Sequence, residues 1–144
     1  MRAVVTRVSK AWVEVDGTKT GEISGGFLVL LGIKTGDTPE DAKKLANKIC
    51  NLRVFRDEND KMNLDLKASG GSILVISQFT LYADTSSRRP GFTEAARPDV
   101  AVPLYELFMQ QCRDLGFVVE AGVFGAMMDV YSVNDGPVTI ILES

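Results

Sequence analysis

The chain has 144 residues, 45% of them apolar, which suits one domain able to bury a real core. Its net charge of −3 gives no global attraction to nucleic acid, so any RNA contact has to use a local basic patch. There is no histidine, which excludes the commonest general base, Ser-His and Cys-His nucleophile pairs and the commonest zinc ligand.

Met1 to Val8 alternates as a half-buried strand, with Arg7 on the face shared by Ala3 and Val5. A guanidinium there either meets carboxylates or free carbonyls, or lays its stem across the sheet edge and reaches water. The same alternation is unlike a signal peptide, and no stretch is long and apolar enough to span a bilayer. The expected location is cytoplasmic. Trp12 to Val15 reads as a second strand, followed by the turn residues Asp16-Gly17. Phe27 to Ile33 is apolar throughout, as a strand buried on both faces is.

Thr38-Pro39-Glu40-Asp41 predicts a capped helix start, with Ala42, Leu45, Ala46, Ile49 and Cys50 forming its buried stripe. Arg53 to Phe55 is a candidate short strand. Asp57 to Gly71 is polar and turn-rich, and its apolar residues Met62, Leu64 and Leu66 are expected to be buried. Ile73 to Ile76 is a buried strand running into Ser77-Gln78-Phe79-Thr80. Polar residues at such a strand end either face a pocket or satisfy nearby backbone groups, and Ser77 and Thr80 alone do not decide between these.

Tyr82 to Pro98 is a long connection carrying Arg88 and Arg89, a local positive site suited to phosphate. Asp99 to Leu115 predicts a second helix with Leu104, Leu107, Phe108, Cys112 and Leu115 buried and Gly116 just past its end. Cys50 and Cys112 lack CxxC spacing and read as small buried apolar residues. Phe117 to Gly122, Met128 to Val133 and Val138 to Leu142 complete a strand-rich last third. Between the last two, Val133-Asn134-Asp135-Gly136-Pro137-Val138-Thr139 reads locally as a hairpin turn. Pro137 there cannot donate to a sheet, and Gly136 lets backbone approach a ligand closely. The helices and about seven strands imply a mixed α/β fold, largely antiparallel or mixed sheet with two main helices on one side. The apolar terminal strands leave surface for a partner, most simply a second copy.

The chain resembles the D-aminoacyl-tRNA deacylases (D-tyrosyl-tRNA deacylases) from Met1 to Leu142. The motifs are Thr6-Arg7-Val8, Gly32, Lys61-Met62-Asn63-Leu64, Ser77-Gln78-Phe79-Thr80-Leu81, Arg89-Pro90-Gly91-Phe92, Phe124-Gly125-Ala126-Met127-Met128 and Asn134-Asp135-Gly136-Pro137-Val138-Thr139. Tyr131-Ser132 departs from the family pattern of a small polar residue followed by Leu.

The resemblance implies a single deacylase domain over 1–144 that hydrolyses D-aminoacyl-tRNA, and glycyl-tRNA, without metal or other cofactor, the tRNA's terminal 2′-hydroxyl assisting. It implies a homodimer in which a cis Gly136-Pro137 bond of one subunit projects carbonyls into the other's site and excludes L-amino acids. Ser77, Gln78, Phe79 and Thr80 become the catalytic segment, with backbone N–H groups near Phe79 and Thr80 for the oxyanion. Gly136, Pro137, Arg7, Met128 and Phe124 become substrate-binding, and Arg88 and Arg89 tRNA-binding. Two other readings stand beside it: a Ser77 or Thr80 acyl-enzyme hydrolase, which lacks an evident base, and an RNA-binding or threonyl-tRNA-synthetase-type editing module.

Overall fold

The computed structural model describes residues 1–144. The first strand, β1, runs unbroken from Arg2 to Val15, where the sequence suggests two strands. The intervening Ser9-Lys10-Ala11 is not a turn because its neighbours carry the ladder across it. Ala11 pairs with Ile23 on one side and Ser132 on the other. The strand is irregular, with register shifts around Val8, and these exchange its buried face. Ala3 and Val5 enter the larger core cluster, whereas Val8, Ala11 and Val13 enter a second one.

Strand β2 (Thr18–Ile23) follows the Asp16-Gly17 turn, in which both residues have positive φ. Strands β3 (Gly26–Gly32) and β6 (Ser72–Ser77) pair in parallel, and β7 (Val119–Ala121) adds in parallel to β6. The order is β2-β1-β3-β6-β7, with β8 (Asp129–Glu143) on β1. The sheet curls until β2 approaches β7: a Cβ at Gly21 would lie 2.7 Å from the Ala121 carbonyl oxygen. Inside the curl lie Val8, Ala11, Val13, Ile23, Leu28, Leu74 and Ile76. The all-apolar runs of β3 and β6 are explained by this, since alternate residues face the inner cluster and the helix-covered one.

Helix α1 (Pro39–Cys50) starts as its sequence predicts: the Thr38 N–H and hydroxyl donate to Asp41 Oδ2 at 2.8 and 3.0 Å. The Thr38 N–H holds the Asp41 carboxyl below its ordinary pKa. Its stripe Ala42, Leu45, Ala46, Ile49 and Cys50 is buried against α3 (Pro98–Asp114), and both helices share the larger core. The predicted stripe of α3 holds for Leu104, Phe108 and Cys112, with Leu107 and Leu115 half-buried beside them. Cys50 and Cys112 are both buried free thiols, and the neighbouring Cys50 together with burial pushes the Cys112 thiol up.

Between α1 and β6 lie a two-stranded ribbon, β4 (Phe55–Arg56) with β5 (Met62–Leu64), and a short helix α2 (Leu66–Ser69). Leu66 is fully buried and Leu64 half-buried. Met62, expected inside, is exposed.

The predicted hairpin at Asn134–Thr139 is absent. Strand β8 continues through this stretch in one direction, antiparallel to β1 on both sides of it. Val8 pairs with Asn134 and Thr6 with Thr139, so Asp135, Gly136, Pro137 and Val138 stand opposite Arg7 alone. The stretch is a large bulge of four residues against one. Turn-forming residues signal a hairpin only if the flanking runs pair with each other, and here β1 is long enough to receive both. A residue without an N–H is tolerated because bulged residues do not complete the ladder.

Candidate active site

At the C-terminal end of the parallel pair, the Gln78 N–H donates to the Leu31 carbonyl (2.8 Å), extending the pairing one residue past β6. The chain then enters a 3₁₀ turn, Phe79–Tyr82. As first-turn donors, the N–H groups of Phe79 and Thr80 have no partner within that turn. A pocket of about 60 Å³ opens here. Ser77, Gln78 and Phe79 line it, with apolar Leu31, Ile33 and Ala101, and with Phe124 and Gly125 from the segment before β8. Phe124 meets the Tyr105 ring edge-on at 5.9 Å. Tyr105 is anchored by its hydroxyl, which donates to the Val75 carbonyl at 2.9 Å, and burial pushes its pKa up to about 12. No ionisable side chain lines the pocket.

Thr80 is exposed beside the pocket, its hydroxyl accepting a hydrogen bond from the Gln78 amide. Phe79 touches Phe92 at 5.1 Å between ring centroids, tying the pocket to the long connection. That connection is a closed loop: Asp84 and Gly91 exchange two backbone hydrogen bonds of 2.8 and 3.0 Å. The Ser86 N–H caps the Asp84 carboxylate and holds its pKa down. Arg88 and Arg89 project from the loop, exposed and without an ion-pair partner.

The bulge forms a separate constellation. Arg7 is only 3% exposed. Its Nε donates to the Asp135 carbonyl at 2.8 Å and its Nη1 to the Val54 carbonyl at 2.5 Å, so the guanidinium on the apolar face meets free carbonyls. Asn134 Oδ1 accepts the Val138 N–H at 3.0 Å, bracing the bulge from within. The Gly136-Pro137 bond is cis. Gly136 has φ +141°, and a Cβ there would sit 2.8 Å from the Val138 side chain and 3.0 Å from Arg7 Nη2. Only glycine fits both conditions.

Within one chain the two constellations do not meet. Ser77 pairs with Leu31 while Arg7 pairs with Phe27, four positions along β3, a separation of about 13 Å at the usual strand rise. Met128 is also away from the pocket, packed against the inner cluster near Val13 and Ile76. Ser77, Gln78, Phe79 and Phe124 therefore come together, Thr80 adjoins them, and Arg7, Met128, Gly136 and Pro137 lie elsewhere on the chain. The lining residues Leu31, Ile33 and Ala101 carry no sequence signal beyond that of core. Gly125, with φ +77°, is visible only as a neighbour of Phe124. Tyr131 pairs with Trp12 across the strands and stacks on it at 4.8 Å and 5°, so this departure is absorbed in packing.

Residues 4–143 match the family model described as D-Tyr-tRNA(Tyr) deacylase. A D-aminoacyl-tRNA deacylase of Exiguobacterium sibiricum is 56% identical, with 99% of each chain covered. One from Thermus aquaticus is also 56% identical, covering 100% of this chain and 95% of that protein. A solved structure named c-Myc DNA Unwinding Element Binding Protein superposes with a TM-score of 0.95 at 40% identity, covering 100% and 99% of the two chains. A probable eukaryotic D-amino acid tRNA deacylase shares the fold, with a TM-score of 0.86 at 15% identity over 99% and 98% of the chains. The chain belongs to the D-Tyr-tRNA(Tyr) deacylase family, whose members named above are D-aminoacyl-tRNA deacylases.

Proposed function

We propose that this protein hydrolyses the ester bond of D-aminoacyl-tRNA, and of glycyl-tRNA, releasing free tRNA and amino acid while sparing L-aminoacyl-tRNA. The observation that carries this reading is a pocket at a rigid strand end that offers hydroxyl, amide and backbone groups but no ionisable side chain. Such a pocket can hold an ester and donate to a developing oxyanion through the Phe79 and Thr80 N–H groups. It offers no base to activate a side-chain nucleophile. The proton relay then falls to the substrate: the terminal adenosine's 2′-hydroxyl assists water in attacking the carbonyl, and neither metal nor cofactor is used. Thr80 as an acyl acceptor finds no support, since its exposed hydroxyl has only Gln78 beside it.

Selectivity is assigned to Gly136 and Pro137 acting in the partner's pocket. Both are exposed and far from their own Ser77, so a second copy of the chain is needed to bring a bulge to a pocket. Carbonyl oxygens of the bulge accept hydrogen bonds from the substrate's α-ammonium and leave no room for an L side chain pointing at them. Exclusion of this kind rejects more strongly than a shallow pocket attracts. Phe124 contributes an apolar contact on the pocket side of that junction, whereas Met128, packed on the inner cluster, is left out of it. Deacylation of matched D- and L-tyrosyl-tRNA tests the reading: only the D ester is expected to be cleaved, and equal rates would sink it.

Arg88 and Arg89 are assigned to the tRNA acceptor end, since they are unpaired cations on a closed loop joined to Phe79 through Phe92. In an acidic protein they carry much of the phosphate attraction. Arg88→Ala with Arg89→Ala should weaken tRNA binding and lower the slope of log K against log salt by roughly 2, one per lost contact. Unchanged binding across a salt titration would give the loop another role.

A further inference from the structure

We infer that Asn63 is a positioning residue for the stereochemical filter: it clamps the β4–β5 ribbon so that the Val54 carbonyl fixes Arg7, which in turn fixes the Gly136-Pro137 bulge. The inference rests on the filter reading above.

Arg7 divides its donors between two elements remote in sequence, the bulge through Asp135 and the ribbon through Val54. A guanidinium is a rigid planar fork, so a shift of one acceptor rotates the donors aimed at the other. The position of the Val54 carbonyl therefore bears on the position of the bulge. Val54 is the residue before β4, flanked by Arg53 and Phe55. Phe55 secures one flank by packing on Phe27, the residue paired with Arg7, at 5.1 Å between centroids.

Asn63 secures the other. Arg53 Nε donates to the Asn63 backbone carbonyl at 2.8 Å, and Arg53 Nη2 donates to Asn63 Oδ1. Asn63 Nδ2 donates in turn to Asp57 Oδ2 at 3.1 Å. Asp57 is itself held by the N–H groups of Asn59 (2.9 Å) and Lys61 (3.0 Å). These contacts, the Lys61 N–H foremost, keep its carboxyl ionised below the ordinary range. Arg53 has no carboxylate partner; its fork is directed wholly at Asn63. The core beneath is filled by Leu66 and Phe55, so this network sits above the buried layer and sets the ribbon's placement.

The test uses the full-length protein with D- and L-tyrosyl-tRNA, the variants Asn63→Ala and Arg53→Lys, and amide exchange at Val138, whose N–H is bonded inside the bulge. Arg53→Lys keeps the charge and removes the fork, and serves alone if Asn63→Ala does not fold. Both variants should keep D-ester hydrolysis within about threefold of wild type while the D-to-L rate ratio falls about tenfold, the scale of one charged hydrogen bond. Exchange at Val138 should accelerate, and in an Arg7→Lys background Asn63→Ala should add little further loss of selectivity. A ratio held within about twofold, or unchanged bulge exchange, overturns the inference even if Tm drops, because a merely structural ribbon moves Tm alone. If wild type fails to distinguish D from L, the filter reading falls and the exchange measurement alone decides the coupling.

Discussion

Replacing the terminal adenosine of D-tyrosyl-tRNA by its 2′-deoxy form should slow hydrolysis by roughly 10²–10⁴-fold, the usual worth of a positioned acid–base group. Thr80→Ala should cost less than about tenfold, because the N–H proposed to face the oxyanion survives the substitution. The asymmetry follows from the pocket's lining. Ser77 and Gln78 are its only polar side chains, and neither has a charged neighbour there to take a proton. If Thr80→Ala abolished turnover in a folded protein, and the 2′-deoxy substrate reacted normally, the acyl-enzyme reading would replace ours. Single-turnover assays with both substrates on both proteins separate the cases.

The second large effect concerns assembly. Strand β8 is 15 residues long, pairs only with β1, and exposes Val133 and Ile141 on its surface. A long unpaired edge with apolar side chains is a site natural proteins cover. Val133→Lys with Ile141→Lys should therefore convert a dimer to a monomer by sedimentation, with activity lost by more than about a hundredfold when the bulge can no longer reach a partner pocket. Wild-type protein that sediments as a monomer while fully active would remove the in-trans arrangement. Mixing experiments add a sharper criterion. A protein altered at Pro137 and one altered at Phe79 should each discriminate or react poorly alone, yet form one intact pocket per mixed dimer.

Arg7 links these expectations to the fold. The buried Val54 carbonyl and the half-buried Asp135 carbonyl depend on it, and a buried polar group left without its partner costs about 1–3 kcal/mol. Arg7 is thus a structural residue as well as a proposed part of the filter, so its replacement is expected to lower stability together with selectivity.

The two long helices were legible in the residues, whereas the one-turn α2 was not. Thr38 with Asp41 marks where α1 begins, Gly116 where α3 ends, and the stripes between them face the core as their spacing requires. The unbroken apolar runs Phe27 to Ile33 and Ile73 to Ile76 identified strands buried on two faces. The polar end at Ser77-Gln78-Phe79 was likewise visible, because polar groups abutting such a run are few. Periodicity and capping are local, so a local reading recovers them. Strand β1 read as two, and Asn134 to Thr139 read as a hairpin, for one shared reason. A turn signature reports what the backbone tolerates, whereas strand continuity depends on which neighbour is present to pair. Only β1, long enough to receive both halves of β8, turned that stretch into a bulge opposite Arg7. Placing Phe124 beside Ser77, Met128 against the inner cluster, and the Gly136-Pro137 bulge opposite Arg7, four β3 positions from the partner of its own Ser77, was equally a decision of the tertiary structure, since each depends on how the strands pair and curl and no spacing along the chain encodes it.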